Sequence, residues 1–205
     1  MTSSLVGSEM CIRDRYLSDA LDGLAEIWYG TMNGPETDHR KLSTRYNQFL
    51  NLCMQNEKAR KAIAGVSLQW AGKFAAQQIH DDYPELKIIQ SESECGDGQN
   101  TWLHAMYIFE LACQYFRNGA RAYIYWNMIL QEGGESSWGW TQNSMVSIVD
   151  NQPVFNPELY VMKHFSHFVK RGARVLRTQG NWSSNATVFR NPNGETVVVL
   201  MNPFA

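Results

Sequence analysis

The chain has 205 residues, 44% of them hydrophobic, and a formal charge of −2. That length holds one domain or slightly more, and the near-neutral balance leaves no electrostatic footprint for nucleic acid or an anionic membrane. No run of about 18 apolar residues occurs, so no segment reads as a transmembrane span.

Residues 5–15 read LVGSEMCIRDR, and the stretch Met10–Arg15 resembles an in-frame translation of a transposase-type sequencing adaptor. Residues 1–15 are therefore expected to be adaptor-derived and unstructured, and are set apart from fold reasoning. A signal peptide does not fit, because a basic start followed by a long apolar stretch is missing. On this expectation the reading frame opens inside a gene.

The rest alternates strand-like and helix-like segments. Ala25–Thr31 (AEIWYGT) is a short apolar and aromatic strand. Tyr46, Phe49, Leu50 and Cys53 recur at helical spacing within Ser43–Met54. Asn56 is placed to cap a second helix over Glu57–Ile63. Gly65–Trp70 (GVSLQW) predicts a strand, with a helix near Phe74–His80, and Lys87–Ser91 (KIIQS) another strand. Trp102, Ala105, Met106, Phe109, Cys113 and Phe116 share a helix face that Gly119 can end. Arg121–Trp126 (RAYIYW) is the next strand. Repeated strand–helix–strand spacing predicts a parallel sheet, either a half-barrel or an open doubly wound sheet. No GxGxxG follows any strand, which argues against a dinucleotide site.

After Asp150 the pattern changes. Asn156-Pro157-Glu158 reads as a cap, a proline at the first helical position and a first-turn acid, with the helix running to about Arg171 and stopped by Gly172. Arg174–Thr178, Thr187–Arg190 and Thr196–Met201 are strand-like, and Asn193-Gly194 is a hairpin turn. This tail reads as antiparallel and as still needing partners at Ala205.

The chemistry concentrates at two places. In Ile88–Gly98 (IIQSESECGDG) an apolar strand ends in Ser-Glu, which sets the Glu92 carboxylate at the C-terminal rim of a parallel sheet. The bland alternative is a solvated loop acid. Tyr125-Trp126-Asn127 ends the next strand, followed by Gly133-Gly134 and then Trp138-Gly139-Trp140. Indole rings stack on pyranose faces and amides hydrogen-bond hydroxyls, a set that suits a sugar. The plain alternative is that these Trp anchor loops.

Together these pieces resemble glycoside hydrolase family 30, near its glucosylceramidases. The resemblance covers almost everything from Tyr16 to Phe204. It is carried by AEIWYGTM, GVSLQWAGK, IIQSESECGDG, YWNMILQEGG, SIVDNQPVFNPELYVMKHFSHFVKRGARV and the Gly-Glu-Thr-Val-Val-Val hairpin, all in order. It implies an α/β fold, a partial (β/α)8 TIM barrel followed by part of a β-sandwich. The strands near residues 27, 67, 89 and 123 would be the fifth to eighth of the barrel. Residues 16–171 would form the C-terminal half of that barrel, and residues 172–205 the truncated sandwich.

The same resemblance implies the chemistry of a retaining β-glycosidase, of glucosylceramidase or β-1,6-glucanase type. The nucleophile of the family is the Glu of a Ser-Glu pair ending the seventh strand, which maps onto Glu92. Glu94 is the rival, because one extra residue separates Ser-Glu from Cys95 here. Trp126 and Asn127 map onto the Trp-Asn pair lining the sugar pocket, with Gln69, Trp70, Trp138 and Trp140 as further substrate-binding residues. Two departures stand out. The Asn-Glu-Pro motif that carries the family's acid/base Glu is missing, so the chain alone is expected to be inactive. Where glucosylceramidases often carry His-Trp-Tyr, this chain has Gln69-Trp70-Ala71, which leaves the sugar and linkage open.

No metal or organic cofactor is called for. His164 and His167 lie three apart on a helix without a third ligand, which reads as a helix-surface pair. The expected partner is a β-linked glycan or glycolipid. The compartment is open, with secretion or the periplasm compatible with the parent enzyme. A non-catalytic carbohydrate-binding protein is the competing reading, with the Trp as a platform and the carboxylates incidental.

Overall fold

Val66, Leu68 and Ile88 lie in strands that alternate with short helices, and all three are buried. Strands covered on both faces read as near-continuous apolar runs, which is why GVSL stands out in sequence. The structure, a computed structural model, describes residues 16–18, 50–51, 53–137, 139–181 and 183–202. The expected strand at Ala25–Thr31, residues 1–15, Trp138 and Trp182 lie outside the described residues.

The described residues fall into two compact units. One comprises the chain up to Glu92 together with Asn118–Tyr123, and the other comprises Ser93–Arg117 and the chain from Ile124 onward.

The first unit is a four-stranded parallel sheet. Its strands are β1 (Tyr16–Ser18), β2 (Gly65–Gln69), β3 (Lys87–Glu92) and β4 (Ala120–Tyr123), neighbours in that order. Helix α1 (Glu57–Ala62) begins where expected, because the Asn56 Oδ1 accepts the Lys58 and Ala59 amides at 3.1 Å each. The expected helix at Phe74–His80 is displaced. A 3-10 turn occupies Trp70–Phe74, and helix α2 runs Ala76–Asp82. β4 is also shorter than expected, ending at Tyr123 rather than Trp126. Its register shifts beside Ile88/Ile89, where Arg121 is the extra residue, and the pairing then runs on to Tyr123. β1 was not foreseen.

The second unit packs helix α3 (Trp102–Arg117) against helix α4 (Pro157–Phe168) and the tail sheet. The stripe Ala105, Ile108, Phe109, Ala112 and Cys113 is buried, whereas Trp102, expected on the same face, is 61% exposed in the first turn. Phe165 sits 5.7 Å from Phe109 and 5.6 Å from Phe116 between ring centroids, and Phe116 meets Phe189 edge-on at 5.5 Å. Each such pair adds about 0.5–1.5 kcal/mol beyond burial. α4 stops at Phe168, earlier than Arg171, because the Asn191 side chain closes its end. The Asn191 Nδ2 donates to the Phe168 carbonyl at 3.0 Å, and its Oδ1 accepts the Lys170 amide at 2.9 Å.

Two small sheets complete this unit. β5 (Ile129–Gln131), β6 (Val146–Val149) and β7 (Gln152–Phe155) form one, with β5 parallel to β6 and β7 antiparallel. Asp150 and Asn151, at φ 49° and 59°, make the two-residue turn between β6 and β7. This sheet was not foreseen. The other is antiparallel, as expected for the tail, with β9 (Ala186–Arg190) between β8 (Arg174–Leu176) and β10 (Thr196–Leu200). No helix among the described residues is long and apolar enough to cross a membrane.

Candidate active site

Glu92 is the last residue of β3, and a register shift aims it. From Gly65 to Leu68 each β2 residue pairs with the residue 22 positions on, as in Leu68 with Gln90; then Gln69 pairs with Glu92 instead of Ser91. The extra residue, Ser91, turns its hydroxyl to Ser67 at 2.6 Å. The bulge thus sets Glu92 beside Gln69 at the end of the sheet, where bulges commonly re-aim a side chain.

Two donors converge on that carboxylate. The Trp70 indole Nε1 donates to the Glu92 Oε1 at 2.8 Å, and the Gln69 Nε2 donates to the Oε2 at 3.5 Å. Trp70 reaches it from a left-handed backbone conformation, φ 42°. Such a conformation costs about 1–3 kcal/mol in a non-glycine residue and persists where surrounding contacts enforce it. Burial pushes the Glu92 carboxyl above its ordinary range, and the Trp70 hydrogen bond pulls it partway back. Trp70→Phe removes that donor while keeping a ring. The carboxylate then loses a partner, so its titration moves to higher pH. A carbon NMR titration of Glu carboxyls checks this; movement to lower pH, or none, contradicts the geometry.

Glu94 has a different setting. The Tyr107 hydroxyl donates to its Oε2 at 2.7 Å, so it is tied to α3. Of the sequence-derived site residues, Glu92, Gln69 and Trp70 are therefore brought into direct contact in the first unit.

Trp126, Asn127 and Trp140 lie in the second unit. Trp126 and Asn127 are half-buried in the loop after β4, joined by a cis peptide. The Asn127 Nδ2 donates to the Gln142 Oε1 at 2.8 Å and to the Asn143 carbonyl at 3.4 Å. With the amino end held by protein acceptors, its Oδ1 is the end left for a ligand hydroxyl. Trp140 is 50% exposed in a turn closed by a hydrogen bond from the Ser136 amide to its carbonyl, at 2.7 Å. Gln142, buried behind Asn127, was not picked out from sequence, because a Gln in a Trp-rich loop carries no spacing signal of its own.

Asn143 and Glu158 were also missed as site residues. Both are fully buried, and the Asn143 Nδ2 donates to the Glu158 Oε1 at 2.8 Å. The sequence marks Glu158 as a first-turn acid beside a capping Asn156. Asn156 makes no side-chain cap; its Nδ2 donates to the Ser144 carbonyl at 2.9 Å and the Ser147 hydroxyl at 2.8 Å. The β6 loop competes for that side chain and wins.

Among the described residues no group of three His, Cys, Asp or Glu could hold a metal ion. The His164 Nδ1 lies 2.6 Å from the Tyr160 carbonyl one helical turn back.

Comparison with known proteins gives a consistent picture. No protein-family model matches the chain. A curated relative, Putative glucosylceramidase 2 of Caenorhabditis elegans, is 27% identical over 138 residues, 61% of this chain and 26% of that protein. Among solved structures, SrfJ from Salmonella typhimurium superimposes with a TM-score of 0.67 at 24% identity, over 76% of this chain and 37% of that one. An endo-β1,6-glucanase gives a TM-score of 0.65 at 22% identity, covering 82% of this chain and 38% of that one. The catalytic domain of the GH30 xylanase C from Talaromyces cellulolyticus gives 0.52 at 16% identity, covering 74% and 35%. The chain thus spans about a quarter of the curated relative's length. Its mixed α/β fold is shared with these solved structures.

Proposed function

We propose, taking as premise that this chain resembles the glucosylceramidase-like enzymes of glycoside hydrolase family 30, that it supplies the nucleophile half of a retaining β-glycosidase. The observation that carries the proposal is the Glu92 carboxylate at the end of β3, held by the Trp70 indole and the Gln69 amide. A retaining enzyme needs two carboxyl groups about 5 Å apart. One attacks the anomeric carbon and displaces the leaving oxygen, forming a glycosyl-enzyme. The other protonates that oxygen and then takes a proton from the water that releases the sugar. Glu92 is the nucleophile in this scheme. The acid/base is assigned to the part of the relatives' length that the chain does not span.

The nucleophile must be ionised when it attacks. The raised Glu92 titration means that activity is lost on acidification at a higher pH than an ordinary carboxyl would allow. The Trp70 hydrogen bond opposes that loss. Trp126, Asn127 and Trp140 are proposed as sugar contacts, the indoles stacking on ring faces and the Asn127 Oδ1 accepting a hydroxyl. Trp138 belongs to the same proposal by its place in sequence. The substrate class is a β-linked glycan or glycolipid, in line with the names of the relatives, and no metal or organic cofactor takes part. The comparisons do not favour a purely sugar-binding role.

The test uses an aryl β-glycoside followed by proton NMR. The sequence extended to the length of its relatives is expected to release the β-anomer first. The 205-residue chain is expected to release nothing. First release of the α-anomer would contradict double displacement, and efficient turnover by the chain alone would contradict the missing acid.

A further inference from the structure

The loop of residues 93–101 starts at the residue after Glu92 and carries no regular structure, yet three consecutive backbone amides in it, those of Gly98, Gln99 and Asn100, meet side-chain acceptors. One side chain does most of this. The Asn143 Oδ1 accepts the Gly98 amide at 2.7 Å and the Asn100 amide at 3.4 Å. The Asn143 backbone amide donates to the Cys95 carbonyl at 2.6 Å. Gly96 passes so close that a Cβ there would lie 2.5 Å from the Asn143 amide carbon. The loop is wrapped around this one amide.

A carboxamide can turn end for end, and only one orientation works here. Two backbone N–H groups face one end of it, so that end must be oxygen. The other end then needs an acceptor, and the Glu158 Oε1 provides it at 2.8 Å. Glu158 is fully buried and its Oε2 has no hydrogen-bond partner among the described residues. An acid so placed is costly, and hydrogen bonds from its own backbone amide and from the Asn143 amino group offset part of that cost. Burial accordingly pushes its carboxyl above the ordinary range.

We propose that Asn143 and Glu158 form a buried clamp that holds the 93–101 loop, and that both are positioning residues for the carboxylate at its head, Glu92. The clamp stands on its own geometry; the positioning role rests on the proposed function.

The test separates the two. Glu158→Met keeps length and volume but removes the acceptor, while Glu158→Gln keeps an acceptor for the Asn143 amino group. In the 205-residue chain, hydrogen exchange at the Gly98 and Asn100 amides is expected to speed up about tenfold to a hundredfold in Glu158→Met, the size of a lost hydrogen bond to a charged group. Exchange within α3 serves as the reference, and Glu158→Gln stays near wild type. Should Glu158→Met not fold, Asn143→Ser replaces it, since a short hydroxyl cannot reach Gly98, and the same increase is expected. Unchanged exchange at Gly98 and Asn100 overturns the clamp whatever the protein's activity. In the extended enzyme, kcat is expected to fall about tenfold to a hundredfold with KM little changed, and Glu158→Gln to restore it. Faster exchange with unaltered kcat overturns the positioning role. Full activity of Glu92→Gln would instead remove the proposed function and leave the exchange result standing.

Discussion

Glu92→Gln in the extended enzyme is expected to abolish turnover, with kcat reduced by about four orders of magnitude or more. The amide is nearly isosteric but cannot form a glycosyl ester, so the first displacement has no nucleophile. The fold should be unaffected. The Gln oxygen can still accept from the Trp70 indole, now at 2.8 Å from Oε1, and a half-buried group whose ionised form desolvation disfavours is replaced by a neutral one. Linkage gives the sign for stability. A carboxyl raised in the folded state adds stability below its unfolded value that is lost as pH rises through the folded value. Glu92 and Glu158 both act in this sense, so Glu92→Gln should flatten part of the loss of stability on going from acid to neutral pH. Turnover assays and melts across that range check both halves. Retention of normal turnover would remove Glu92 from the mechanism.

The second large effect concerns the Trp-bearing loop. Gly134 has φ +64°, and a Cβ there would lie 1.9 Å from the Gln142 carbonyl oxygen. That oxygen belongs to backbone and cannot swing aside, and the Gln142 amide already donates to the Gly134 carbonyl at 2.8 Å. Gly134→Ala must therefore separate the two strands of this turn, at a cost of about 3 kcal/mol or more. For a chain of this size that lowers Tm by about 6–12 °C. Gly133→Ala is the control. Its φ is +76° but nothing among the described residues lies within 4 Å of a Cβ, so only the backbone penalty of about 1 kcal/mol applies. The pair should also differ in sugar binding, because Gln142 orients Asn127. Equal melting temperatures for the two variants would contradict the packing of this loop.

What could be read from the sequence was mostly local. The α3 stripe ending at Gly119, the Asn56 cap and the Asn193-Gly194 hairpin each depend on residues a few positions apart, so spacing alone was enough. Glu92 stood out because an apolar strand ends on it. Its environment did not. The bulge opposite Leu68 and Gln69 and the left-handed Trp70 arise from contact between strands more than twenty residues apart, which no periodicity records. The Asn143–Glu158 pair lies 15 residues apart, beyond any helical or strand period, and Glu158 looks like an ordinary first-turn acid because Pro157 beside it makes that reading sufficient. The β5–β7 sheet escaped for another reason. Its outer strand is exposed throughout and contains Pro153, so the hydrophobic signal is weak. The Asp150-Asn151 turn was the one clue available.

The most direct test is to treat the extended enzyme with a 2-deoxy-2-fluoro β-glycoside bearing a good leaving group, then map the trapped sugar by tandem mass spectrometry. A single hexosyl adduct on the carboxyl at position 92 is the predicted result. An adduct on Glu94, or inactivation with no glycosylated side chain between Ile88 and Gly98, would contradict it.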